Sequence, residues 1–508
     1  MIRKFVYIVF CLAVVGCGGP SVPEVFTDSK ALPKIYPDYI DVTIPINMAP
    51  LTFELDEAAD NMIARFAVGD EEIVCEGKAQ PDMDAWRTLV EKAKGSAITV
   101  DVYACKADRW THYKPFNIFV SPDSIDSYLS YRLIYPSFIS YEALTINQRC
   151  LENYDESVIY DNVLCSFEKD GQCINCHNYQ QYNPERMQFH ARQNNGGTVV
   201  TYDGHTKKVN MRNDSILSAG VYPAWHPWLK LIVYSTNKTL QSFHTTHHNK
   251  IEVYDTQSDL IAYDIDRGEV TNLENDTTEL EVFPAWAPDG KTLYYCSAHY
   301  VKKDSTLSRV GEIVKRSKEL KYNIYKKSFD PETMTFGPRE LVFAADSLDK
   351  SATLPRISPD GRFLMFTLAE FGVFHIWHHD ADLWLLDLSE ELRVKSEKFA
   401  AARPLDEINS PDTESYHSWS SNGRWVVFSS RRDDGTYTRP FFAHIDRDGH
   451  GSKPFELPCA DPDYHRQFMK CYNIPEFMRG PVTIQPQTFA DVLKGDGEPV
   501  RYVPQLTK

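Results

Sequence analysis

Phe283-Pro284-Ala285-Trp286-Ala287-Pro288-Asp289-Gly290-Lys291-Thr292-Leu293-Tyr294-Tyr295-Cys296 is the stretch that decides the fold. A short run ends in an aromatic residue, Pro-Asp-Gly follows, and a run of aromatic and β-branched residues comes next. Gly290 tolerates positive φ and Asp289 caps the bend, so the string reads as a hairpin. The pattern returns at residues 222–235, 354–366 and 416–429. Its equivalent positions Trp225, Trp286, Ile357 and Trp419 lie 61, 71 and 62 residues apart. Strand-like runs at 250–254, 259–264, 322–325 and 382–388 supply two more strands per unit, which makes a four-stranded blade. The spacing exceeds the roughly 40–45 residues of a WD-type blade, so the loops carry insertions. The expectation is a mainly β chain whose residues 196–490 form a six-bladed β-propeller, with the first blade near 197–209 and the closing strands inferred.

These repeats, of the form P-x-W-S-P-D-G, resemble the propeller repeats of the periplasmic protein TolB and of prolyl oligopeptidases. The chain has no G-x-S-x-G elbow, so the second resemblance stops at the propeller. Upstream, residues 33–150 alternate short strand patterns with one helical stretch. There Trp86, Leu89 and Val90 share a face at i, i+3, i+4 spacing. This part reads as a small β-rich domain, sandwich-like.

Between the two parts stands Cys173-Ile174-Asn175-Cys176-His177, a C-x-x-C-H string. It is the attachment signature of c-type haem. Two thiols three positions apart on a turn of helix reach the two vinyl groups of a porphyrin, and the adjacent imidazole swings under the iron. The expectation is one covalent haem c on Cys173 and Cys176, with His177 as proximal iron ligand, held by a short segment over 151–195. His190 or Met187, in Arg186-Met187-Gln188-Phe189-His190-Ala191-Arg192, is the expected distal ligand, alongside a ligand from elsewhere or an open position. A redox-active dithiol and half of a zinc site compete for the same cysteines. The first lacks a βαβ pattern and the second lacks another Cys pair at suitable spacing.

The first residues point to export. Arg3 and Lys4 precede an apolar run over 5–15, shorter than the roughly 20 apolar residues of a spanning helix. Val14-Val15-Gly16-Cys17 resembles the lipobox of bacterial lipoproteins, which implies a signal peptide over 1–16, a diacylglycerol on Cys17 and a membrane anchor facing the periplasm. Residues 17–32 then read as a tether and 491–508 as a C-terminal tail. The order of lipoprotein signal, β domain, C-x-x-C-H and TolB-like propeller resembles a family of Bacteroidetes lipoproteins.

The 508 residues carry a formal net charge of −17, which argues against nucleic acid as a partner. Of the eleven cysteines, Cys75–Cys105, Cys150–Cys165 and Cys459–Cys471 are near neighbours along the chain, in a compartment that permits disulfides. His244, His247 and His248, and His375, His378 and His379, have spacings that can ligate a transition metal or serve as solvated or hydrogen-bonded histidines. No H-E-x-x-H, P-loop or dinucleotide fingerprint is present, and no catalytic residue is assigned. The leading expectation is a lipid-anchored cell-envelope cytochrome c-like protein for electron transfer or haem-based redox sensing. Its propeller would bind a redox or envelope partner. A propeller oxidoreductase that passes electrons to the haem and a non-redox TolB-like interaction protein are the alternatives.

Overall fold

The computed structural model describes residues 19–136, 140–165, 171–244, 246–247, 249–391 and 402–507. Cys17 and His248 lie outside the described residues, as does the whole signal segment. Among the described residues, no helix is long and apolar enough to cross a membrane.

Six four-stranded units follow one another. Blade one takes its inner strand, Cys471–Met478, from far along the chain and adds Tyr128–Ile134, Thr145–Cys150 and Glu156–Asp161. Blade two is Gln172–Tyr179, Met187–Gln193, Gly197–Tyr202 and His205–Asn210. Blades three and four begin at Gly220–Trp225 and Glu279–Trp286, and a single parallel bridge, Ser258 to Leu280, joins their sheets. Blades five and six begin at Ser351–Ile357 and Glu414–Trp419. Each inner strand packs against that of the next blade, and the last returns to the first. The ring is therefore closed with six blades, and only short, protected sheet edges remain.

Several boundaries differ from the sequence reading. The strands at 197–209 are the outer half of blade two, not a first blade, and the described strands from Tyr128–Ile134 to Met187–Gln193 belong to the ring. Within the expected haem segment over 151–195, Glu156–Asp161, Gln172–Tyr179 and Met187–Gln193 are thus blade strands. Runs 250–254 and 259–264 are two halves of one strand, Ile251–Asp264, which pairs along its length with Leu231–Phe243. The expected tail instead forms the helix Pro486–Lys494 and two short strands. Glu498–Pro499 and Arg501–Tyr502 add in parallel to the rims of blades two and three.

The N-terminal domain has one seven-stranded sheet, a separate two-stranded pair, Ile35–Tyr36 with Glu54–Leu55, and one helix, rather than two large packed sheets. Ala97–Lys106 is central, pairing with Asn61–Val68 on one side and with Arg109–His112 and Phe116–Ser121 on the other. The helix Met83–Lys92 starts at Asp82, whose carboxylate accepts from the Asp84 and Ala85 amides, and buries Trp86, Leu89 and Val90. One continuous apolar core joins Phe66 and Trp86 to Trp425 and Phe442 of blade six and Tyr472 of blade one. The helix and the neighbouring blades occupy the apolar space that a second sheet would fill.

Candidate functional site

The six inner strands share a deformation that positions everything on the axis. Each pairing shifts register at the same place. One residue there has left-handed backbone: Cys176 (φ 58°), Tyr222 (48°), Phe283 (54°), Leu354 (54°), Tyr416 (48°) or Ile474 (54°). A non-glycine residue at positive φ is uncommon, and six at equivalent bulges mark a repeated device. The six side chains meet in a throat enclosing about 50 Å³. The residues after them are His177, Pro223, Pro284, Pro355, His417 and Pro475. Cys176-His177 therefore occupies the place that Tyr222-Pro223 and Phe283-Pro284 hold in blades three and four.

On one side of the throat the channel opens into a cavity of about 700 Å³. Blade one contributes Arg132, blade two Cys173, Asn175, His190 and Arg192, and the loop after blade two Arg212. Arg132 is buried and donates to the Ile174 carbonyl at 3.3 Å and to Asn175 Oδ1. Arg192 and Arg212 are exposed. His190 Nδ1 sits 3.1 Å from Thr198 Oγ1. Burial, then the charges of Arg192 and Arg212, push its pKa down to about 3, so the imidazole is neutral. No Asp or Glu lines the cavity among the described residues. Arginine clusters of this kind suit carboxylates and phosphates, which accept two guanidinium hydrogen bonds at once. The volume falls in the range of small-molecule sites, about 300–1,000 Å³.

The C-x-x-C-H residues do not converge. They lie on the strand Gln172–Tyr179 rather than on a helical turn. Cys173 is half-buried and opens onto the wide cavity, whereas Cys176 and His177 border the throat. The Cys176 thiol, pushed up by burial, lies beside the backbone of Tyr222 in blade three. His177 turns the other way, beside the backbone of Ser130 and Ile474 in blade one. The opposed directions are set at the bulge, where Cys176 has left-handed backbone. His177 is 1% exposed, and neither ring nitrogen has a partner of hydrogen-bond geometry. Burial and the charge of Arg132 push its pKa down to about 3. A porphyrin bound through both thiols with this imidazole on its iron needs all three on one side of one large space. A c-type haem does not fit this arrangement.

The expected distal ligands separate as well. On Met187–Gln193, Met187, Phe189 and Ala191 face the core, with Met187 fully buried and opposite Tyr179 on the neighbouring strand. Met187 is thus a packing residue, not an iron ligand. His190 is on the opposite face and belongs to the arginine cavity. Sequence reading passed over Arg132 and Arg212, because neither stands in a motif and only the ring brings them together.

The other candidates have structural partners. His375 lies 2.9 Å from Thr353 Oγ1 and 3.0 Å from the Gly372 carbonyl, His378 Nε2 is 2.8 Å from Glu252, and His379 Nδ1 is 2.8 Å from Asp412. His244 and His247 pack with tilted rings, their centroids 5.6 Å apart. Among the described residues no group of three or more His, Cys, Asp or Glu is placed to hold a metal ion. All nine described cysteines are free thiols, so none of the three expected disulfides forms.

No family model matches the chain. No curated protein matches it either. Among solved structures it is similar to prolyl oligopeptidase B from Galerina marginata bound to a macrocyclization substrate. The identity is 11% and the TM-score 0.35, over 71% of this chain and 42% of that one. An oligogalacturonate lyase in complex with manganese is also similar, at 11% identity and TM-score 0.30, over 70% of this chain and 86% of the lyase. The chain thus spans less than half the length of the oligopeptidase.

Proposed function

We propose that this protein is an exported, lipid-anchored propeller of the cell envelope that binds an anionic small molecule in the wide mouth of its channel. One observation carries the reading. In a chain of net charge −17, a cavity of about 700 Å³ gathers Arg132, Arg192 and Arg212 with no lining carboxylate among the described residues. Such a pocket concentrates positive potential where the rest of the surface repels anions. The apolar throat closes the inner end, so a ligand enters and leaves by the same mouth. Arg132 is fixed by its bonds to blade two and sets the floor, while Arg192 and Arg212 close on the ligand from the rim. Neutral His190 and the side-chain amide of Asn175 supply uncharged polar contacts. The resemblance of the repeats to TolB and the lipobox-like string at Cys17 support the envelope assignment.

The test is calorimetric titration of the full chain with citrate and with inorganic pyrophosphate, at low and at moderate salt. A charge-assisted hydrogen bond contributes about 1.5–3 kcal/mol. Removing both rim guanidiniums by Arg192→Ala and Arg212→Ala is therefore expected to weaken binding at least tenfold, each 1.4 kcal/mol being one decade. Absence of binding by either anion, or binding indifferent to the double substitution, overturns the proposal.

A further inference from the structure

Away from the channel, three side chains form a relay at the seam between the N-terminal domain and blades one and six. Glu456 ends the outermost strand of blade six, Phe455–Glu456. Cys459 follows three residues later, and His465 lies in the short helix Tyr464–Gln467. His465 Nδ1 is 2.7 Å from Glu456 Oε1, and its Nε2 is 3.6 Å from Cys459 Sγ. The Tyr472 hydroxyl lies 3.2 Å from the same Nε2. All three relay residues are buried, with Cys459 at 7% exposure. Thr52 donates to the Cys459 carbonyl at 2.5 Å and Arg149 to the Pro458 carbonyl at 2.7 Å, so the turn is pinned from two sides. The thiol that sequence spacing pairs with Cys471 instead faces an imidazole.

We propose that Cys459, aligned with His465 and Glu456, is a reactive thiolate that a small hydroperoxide oxidises to the sulfenic acid. A thiol beside an imidazole that is itself paired with a carboxylate is the arrangement that transfers the thiol proton to the ring. Burial disfavours both charges, but here the partners outweigh it. His465 and Arg149 hold the Cys459 thiol below its ordinary value, and Cys459 and Glu456 push His465 up to about 9. In the step, the thiolate sulfur attacks one peroxide oxygen and the O–O bond breaks. The leaving hydroxide takes the Nε2 proton of His465 to become water. Sulfur loses two electrons, peroxide gains them, and a neutral imidazole remains.

Two measurements test this on the full chain. The first is the thiolate ultraviolet absorption at neutral pH, taken as the difference between the native protein and Cys459→Ser. A signal from one thiolate is expected, and its absence overturns the proposal whatever the accessibility. The second is sulfenic-acid trapping with dimedone after hydrogen peroxide, read by peptide mass spectrometry. The buried Cys296, whose thiol burial pushes up, serves as internal reference. Labelling of Cys459 is expected to exceed that of Cys296 at least tenfold and to fall at least tenfold in His465→Gln or Glu456→Gln. Equal labelling of the two cysteines overturns the proposal.

Discussion

Blades two and six place a histidine at the same point of the same bulge, and only one of them completes a haem-like string. In blade six Tyr416 takes the left-handed backbone and His417 follows; in blade two Cys176 does so and His177 follows. His417 turns its Nε2 to the Met365 carbonyl of blade five, 3.1 Å away, while His177 finds no such partner in blade one. Both imidazoles are buried, and burial is the main cause that pushes each down to about 3. The other four blades carry proline there. This position asks for a compact ring wedged between blades, and histidine can meet the demand as a neutral group. The last letter of C-x-x-C-H is then a repeat position, and the two cysteines are its neighbours on a strand.

The largest effect is expected when the chain is offered haem. Expressed with a c-type maturation system and extracted with acid acetone, the protein is expected to show no pyridine haemochrome. A spectrum of two thioether bonds would falsify the equivalence of the two histidines. A finer test exchanges each for the residue of the other blades. His177→Pro is expected to change the urea midpoint by less than about 1 kcal/mol of stability, the range of a benign substitution. His417→Pro leaves the Met365 carbonyl unpaired and is expected to cost about 1–3 kcal/mol. The same variants sharpen the pH dependence. Each histidine takes up a proton near 6.5 when unfolded and near 3 when folded, so the unfolded chain binds more protons between those values. Stability is therefore retained above about 6.5 and lost on acidification, by at most about 1.4 kcal/mol per pH unit for each ring. Either proline variant is expected to make the acid loss shallower than in the native protein; an unchanged slope breaks the assignment. The smallest effect belongs to Met187→Leu, a near-isosteric core exchange expected to cost less than about 1.5 kcal/mol by thermal unfolding.

The propeller was legible where a hairpin turn carries its own signal. Blades three to six announce themselves because their inner strands lead into Pro-Asp-Gly or a close relative, apart from His226-Pro227-Trp228, where flanking aromatics carry the pattern. Blade two hides because Cys176-His177 replaces the Tyr-Pro or Phe-Pro pair and its turn passes through Gln181 and Tyr182 at positive φ, with no glycine to mark it. Blade one hides because its inner strand stands hundreds of residues from its neighbours, although Ile474-Pro475-Glu476-Phe477 keeps the repeat form. The arginine cavity was not legible at all. Arg132, Arg192 and Arg212 come from separate stretches, and their meeting is a property of the packing of blade one on blade two rather than of any local pattern.

The closure of the ring has a temporal side. The Ser130 hydroxyl donates to the Glu476 carbonyl across a separation of 346 residues, along the seam where Cys471–Met478 completes blade one. A ribosome delivers the chain from its amino end, so five blades can assemble while the first still lacks its innermost strand. Pairing so distant in sequence is slow to find, and an unpaired strand edge waits exposed until it does. The nascent protein is then an open arc before it is a ring, and the interval between the two is when it most needs a chaperone.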